Sequence, residues 1–395
     1  MTASHKVHVE AQQPRLEPSP AAPAWRRRIR RMIRLGVIIV LVSTLSLTGL
    51  LWWWSPGTTE PFLDADGHRL PGSISEKLSV AINGVEQGMV IRGENKSNPV
   101  LLWVHGGPGM PDYPLTQQYP TDLEDLFTVV WWDQRGAALS YDSDIPPETM
   151  TIEQFIDDTL AVTDYLRERF RQDRIYLLGH SWGSFIAIQA AARSPERYKA
   201  YVGMAQVVDQ LESEKIAYDY MVAAYGERGD TDMVRDLEAA PVSMTEGTPD
   251  AYLKLRDTAM HQLGIGTTHD MRSVITGIFL ASWRFRGYTL QEKVNLWRGR
   301  AFSRSFDLWE QLIRIDLRET VPALEIPVYF LEGHYDYTCV TALARDYFQQ
   351  LQAPVKGFYT FDNSAHSPLL EEPQEAHRIL EHDVLAGSTI LDDLR

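Results

Sequence analysis

The sequence predicts an α/β fold: a mainly parallel sheet with helices on both faces, a helical insertion between two strands, and one transmembrane helix ahead of it all. Three observations predict it. Short apolar runs alternate with longer helical stretches from residue 74 onward, as a parallel sheet with crossover helices requires. Residues 207–320 interrupt that alternation with helical, aromatic-rich sequence. Leu35–Trp54 is a run of twenty residues without a charge.

Taken in order, the first segment is a leader. Residues 1–34 are rich in Ala, Pro and Arg, and Pro18-Ser19-Pro20-Ala21-Ala22-Pro23 cannot bury enough apolar surface to order itself, so 1–34 reads as a disordered basic leader. Residues 1–54 hold eight basic and two acidic side chains, a sum of +6, which leaves -21 for the rest of a chain whose net charge is -15. Six arginines lie between Arg26 and Arg34, immediately before the uncharged run 35–54. Twenty helical residues span about 30 Å, the hydrocarbon thickness of a bilayer. Trp52, Trp53 and Trp54 stand where an interfacial aromatic belt would sit, and the arginines mark the cytoplasmic side. The expectation is a single-pass anchor with a cytoplasmic N-terminus and an extracytoplasmic body. A cleaved signal peptide and a buried core helix are the competing readings.

The body begins with a hairpin. Ile74–Ala81 and Val85–Arg92 flank Asn83-Gly84, a pair suited to the positive φ angles of a tight turn. Pro99–Val104, Thr128–Trp132 and Arg174–Leu178 are apolar enough for strands covered on both faces. Ile152–Phe170 places Ile152, Phe155, Ile156, Leu160, Val162 and Leu166 near one helical face. Phe185–Arg193 reads as a helix stopped by Ser194-Pro195, Pro327–Leu331 and Gly357–Phe361 as strands, and Glu372–Val384 as a closing helix. The core is therefore expected over 74–206 and 321–395, and a helical cap over 207–320.

Composition excludes several function classes. Cys339 is the single cysteine, so no intramolecular disulfide and no cysteine-built metal site can form. The acidic body lacks the basic face that a nucleic-acid partner needs.

The chemistry sits in three places. Gly179-His180-Ser181-Trp182-Gly183 lies between a strand and a helix, the context of a nucleophile elbow, with glycines letting strand and helix approach and Ser181 at the tip. His105-Gly106-Gly107-Pro108-Gly109 follows a strand and offers backbone donors to an oxyanion; Gly107 and Trp182 are the expected N–H pair. A serine needs a base and an orienting carboxylate. Asp336, in Glu332-Gly333-His334-Tyr335-Asp336, and His366, in Asp362-Asn363-Ser364-Ala365-His366, follow in the order that such a scaffold uses. Glu332 and Asp362 are rival acids, and His334 a rival base.

These motifs, with Trp132-Asp133-Gln134-Arg135-Gly136 and Ser184, make the chain resemble the α/β-hydrolase superfamily, and within it the proline iminopeptidase branch, over roughly residues 74–390. The resemblance implies release of N-terminal residues, often proline, from short peptides through an acyl-enzyme, with no metal or organic cofactor. It also implies cap glutamates that hold the substrate's free amine, for which Glu212 and Glu214 are the nearest candidates. Two positions depart from the family pattern. Ala138 replaces the second glycine of Asp-Gln-Arg-Gly-x-Gly-x-Ser, which a negative φ would allow, and His334 stands where an arginine is usual. An esterase or other acyl hydrolase with the same triad is the alternative activity. A silent anchored binding protein is the alternative of another class.

Overall fold

The computed structural model describes residues 24–394; the predicted leader falls outside it up to residue 23. The chain divides into two units, one ending at Leu50 and one spanning Leu51–Arg395. The described part of the first is helix α1 (Ala24–Trp53), which carries on into the second unit by three residues. The arginines Arg26–Arg34, expected in an unstructured leader, are its first turns; arginine is a good helix former and extends a helix nucleated by the apolar run. Residues 28–53 are long and apolar enough to cross a membrane.

The second unit is built on an eight-stranded sheet: β1 (Ile74–Ile82), β2 (Val85–Gly93), β3 (Val100–Val104), β4 (Thr128–Trp132), β5 (Ile175–His180), β6 (Tyr198–Met204), β7 (Val328–Gly333) and β8 (Lys356–Phe361). Their spatial order is β1-β2-β4-β3-β5-β6-β7-β8. β1, β2 and β4 pair antiparallel, and β3 through β8 run parallel. The hairpin turn has Asn83 at φ +46° and Gly84 at φ +79°, as its sequence demands. β3 and β4 are buried along their whole length, so their side chains face apolar cover on both sides.

Helix α2 (Ile152–Phe170) spans the predicted residues and is capped by Thr151, whose hydroxyl accepts from Gln154 N–H. α3 (Trp182–Arg193) follows β5 after a single residue, Ser181. Both elements run further into the glycine pentapeptide than periodicity suggests. β6 was not foreseen: Tyr-Lys-Ala-Tyr-Val-Gly-Met mixes a charge and a glycine into a central strand. The helix Thr341–Gln350 between β7 and β8 was not foreseen either.

Between β6 and β7 the described chain is helical, with α4 (Gln210–Arg228), α5 (Thr231–Glu238), α6 (Asp250–Leu263) and further helices that include Leu290–Ser303 and Leu308–Leu312. It has a core of its own, in which Met221, Tyr225, Leu237, Tyr252 and Met260 pack together. The closing helix Pro373–Ile379 continues through a wider turn to Val384.

Candidate active site

Ser181 sits at φ +55° and ψ -124°, a conformation that costs an L-residue about 1–2 kcal/mol and holds only where the surroundings enforce it. Here the surroundings are backbone. A Cβ on Gly183 would lie 1.9 Å from Val104 O, and one on Gly179 would lie 2.6 Å from Gly183 O. Only glycines let α3 press this closely on β5 and β3. Trp182 N–H is the first of the helix, so it has no acceptor within the helix and points the positive end of the dipole at the space before Ser181.

The turn after β3 approaches the elbow from the other side. Gly107 lies at φ +131°, and a Cβ there would fall 2.6 Å from Gly109 N. His105 shapes the turn: its Nε2 accepts from Gln134 N–H at 3.1 Å, and its Nδ1–H donates to Gly106 O at 2.6 Å. The ring is therefore neutral, and burial lowers its pKa to about 4. Gln134 joins both loops, donating to His105 O at 2.7 Å and accepting from Trp182 Nε1 at 2.9 Å. Its neighbours pin the motif. Arg135 forms a fully buried two-pronged pair with Asp158 of α2 at 2.8 and 2.9 Å. Asp133 accepts from Tyr288 O–H at 2.8 Å and Leu139 N–H at 3.0 Å, and burial raises its pKa to about 7. Ala138 has φ +32°, not the negative value that would have made alanine a free replacement. The loop keeps a glycine-type backbone despite the substitution, and the Ser140 hydroxyl holds it by accepting from Gly88 N–H at 2.7 Å.

The structure brings Asp336 and His366 together: His366 Nδ1–H donates to Asp336 Oδ2 at 2.8 Å. The other carboxylate oxygen accepts from Thr338 N–H (2.8 Å) and Cys339 N–H (3.0 Å), fixing the acid's orientation. The rivals are placed otherwise. Asp362 and His334 are exposed. Glu332 is buried on Gln206 N–H (3.0 Å), its other oxygen unpartnered, and burial drives its pKa well above the carboxylate range.

Several supports were not legible in the sequence. His180 points Nδ1 at Asp112 Oδ2 (2.9 Å) and Nε2 at His366 O (2.8 Å). Both partners are acceptors, so the ring donates twice; burial works against its charge, but Asp112 overcomes burial and raises the pKa. Asp112 is itself held by Trp103 Nε1 at 2.9 Å. Glu371 gathers N–H groups from Ala365 (2.9 Å), Ser367 (3.2 Å) and His269 (2.5 Å), tying the His366 loop to the helical segment. The only hints are the positions of Asp112 behind the glycine turn and of Glu371 five residues after His366.

A cavity of about 470 Å³ is lined by Gly107, Ser181 and His366 on one side and by the helical segment on the other. That second wall mixes apolar groups (Leu253, Met260, Val274, Ile278, Phe306) with Arg256, Arg300 and Asp257, and its exposed charges are Asp250, Asp307, Glu310 and Arg304. Neither predicted amine ligand reaches it. Glu212 pairs with Arg318 at 2.7 Å. Glu214 is buried behind the wall, where Arg256 (2.6 Å), Tyr252 O–H (2.7 Å) and Gln210 (2.9 Å) consume its oxygens. Among the described residues, one trio could offer three metal-ligand atoms, Asp64, Asp66 and His68, and none of them lines this cavity.

A profile of the alpha/beta hydrolase fold family matches residues 99–373. The chain belongs to the α/β-hydrolase superfamily. Among its relatives is the "Probable aminopeptidase YbaC" of Bacillus subtilis, 33% identical over 313 residues that cover 76% of this chain and 95% of that one. A proline iminopeptidase of Heyndrickxia coagulans is 22% identical over 71% of this chain and 89% of its own length. Of solved structures, a proline iminopeptidase-related protein from Thermus thermophilus superposes with a TM-score of 0.56 at 19% identity, covering 79% of this chain and 98% of that one. This α/β-hydrolase therefore has proline iminopeptidase relatives, as its three motifs imply.

Proposed function

We propose that the protein is a membrane-anchored serine hydrolase of the aminopeptidase type. The observation that carries the reading is the convergence of Ser181, Gly107 and the Asp336-bonded His366 on one cavity. Ser181 Oγ attacks the acyl carbon while His366 takes its proton, and Asp336 holds the imidazole in the tautomer that can accept it. The N–H groups of Gly107 and Trp182 receive the oxyanion. His366 returns the proton to the leaving group, and water releases the acyl-enzyme by the same steps. Neither step calls for a cofactor.

The aminopeptidase reading draws support from the relatives' names and from the exposed carboxylates Asp250, Asp307 and Glu310 of the cavity lining, which can meet a substrate ammonium. An esterase reading draws on the apolar groups of the same wall. A prolyl or alanyl amide with a free amine should be cleaved roughly tenfold faster than its N-acetylated form, since exposed carboxylates contribute about 1 kcal/mol or less each. Equal rates would leave the esterase. The anchor rests on the length of the apolar helix and on the arginines before it, which favour a hydrolase body outside the cytoplasm. A chain that resists carbonate extraction and is digested by external protease fits it; a soluble mature chain refutes it.

A further inference from the structure

Residues 271–289 contain three arginines and no acidic residue, in a chain where acids outnumber bases 53 to 38. The segment is two-faced. Gly277 and Ile278 turn inward, with Val274 and Ile278 on the wall of the Ser181 cavity. Ile275 (62% exposed), Phe279 (40%) and Leu280 (37%) turn outward. An apolar outer face on a helix that carries no acidic side chain and ends in Arg284 is what lies in a lipid interface rather than in water.

The chain places this face beside the residues where α1 ends. The Lys293 ammonium donates to Trp54 O and to Trp283 O, each at 2.7 Å, and to Ser55 Oγ at 3.0 Å, clasping the chain's exit point to the segment. Arg286 donates to Trp53 O at 3.2 Å and lies over the Trp53 ring, and Arg284 lies over the Trp54 ring. Phe279 packs on Trp283 with ring centroids 6.1 Å apart. Trp52 and Trp53 are themselves 79% and 70% exposed, as interfacial tryptophans would be.

We infer that Ile275, Phe279 and Leu280, with Arg284 at their edge, form a docking surface for the phospholipid of the outer leaflet of the membrane that α1 crosses. The inference rests on the anchored reading above. It makes the helix that walls the hydrolase cavity a part of the membrane contact, with lipid on one side and substrate on the other.

The test uses the full chain in vesicles of phosphatidylcholine and phosphatidylglycerol. Cys339 is buried, so a single introduced thiol can be labelled with an environment-sensitive fluorophore. F279C and, as a second position, I275C are compared with T245C, an exposed residue of the turn Ser243–Gly247. Spin-labelled lipid should quench the labels at 279 and 275 at least twofold and leave 245 unchanged. Vesicle-bound protein with all three labels equally unquenched overturns the surface while leaving the anchor intact. Labels at 279 that transfer energy between copies without lipid quenching also overturn it and make a second copy the occupant. Protein that does not float with the vesicles refutes the anchored reading, and the surface with it.

Discussion

The two walls of the cavity are built on different principles. The sheet side is locked by buried backbone and short hydrogen-bonded side chains: Ser181 is forced to φ +55° by glycine contacts, the Gln134 amide bridges two loops, and the Asp336 carboxylate is gripped by two N–H groups. The helical side is made of long side chains. Arg256 is shared between Glu214 and Asp257, Arg300 stands 3.6 Å from Asp257, and the remaining carboxylates are exposed. A preorganised wall can stabilise a transition state without reorganising, whereas a wall of flexible charges can be retuned to another substrate without touching the chemistry. Substitutions on the two sides should therefore fail differently.

The largest effect is expected at the elbow. Ser181→Ala should fold normally and lose about three or more powers of ten in kcat. A fluorophosphonate should label Ser181 in the wild type; a label elsewhere breaks the contrast at its root. Next comes the acid. Asp336→Asn should cost about a thousandfold or more, because the amide cannot hold the imidazole in the accepting tautomer. The exposed Asp362→Asn should change kcat less than about twofold, and the reverse ranking would move the orienting acid.

On the helical side, Glu310→Gln or Asp250→Asn should lower kcat/KM for free-amine substrates about threefold while sparing neutral esters, the signature of lost binding rather than lost chemistry. An equal loss on both substrates would erase the distinction between the walls.

The smaller effects concern stability. Asp133 has its pKa raised from 3.8 to about 7, so the folded state keeps a proton that the unfolded chain releases. Stability from this group is greatest below pH 3.8 and declines as pH rises to about 7, where the buried carboxyl ionises. Denaturant titrations of Asp133→Asn should show a flatter pH dependence across that window; an unchanged slope would mean that Asp133 is ionised throughout. Smallest of all, Ala138→Gly should relieve the φ +32° strain and, after the added chain entropy, stabilise by about 0.5 kcal/mol in the same titrations.

Legibility in the sequence followed the range of the forces involved. The Asn83-Gly84 hairpin, α2 and the strand before the elbow announce themselves because turn chemistry and periodicity are local. β6 did not, because Lys199 and Gly203 spoil its apolar run, and only the neighbouring β5 and β7 make that segment a strand. The φ of Ala138 was not legible for a related reason: it is imposed by the surrounding loop and not by the residue's own preference.

The chain by itself determined the superfamily, the elbow at Ser181, the two loops that bear Asp336 and His366, and an apolar helix long enough to cross a membrane. Each is written in contiguous residues, where glycine spacing, strand endings and hydropathy act over a few positions. Only the tertiary structure decided which carboxylates are free to meet a substrate. Glu212 and Glu214 lie in the first turns of α4 and look available, but Arg318 comes from more than a hundred residues away and Arg256 from another helix to neutralise them. A charge seeks its partner through space, and sequence distance carries no information about where that partner will be.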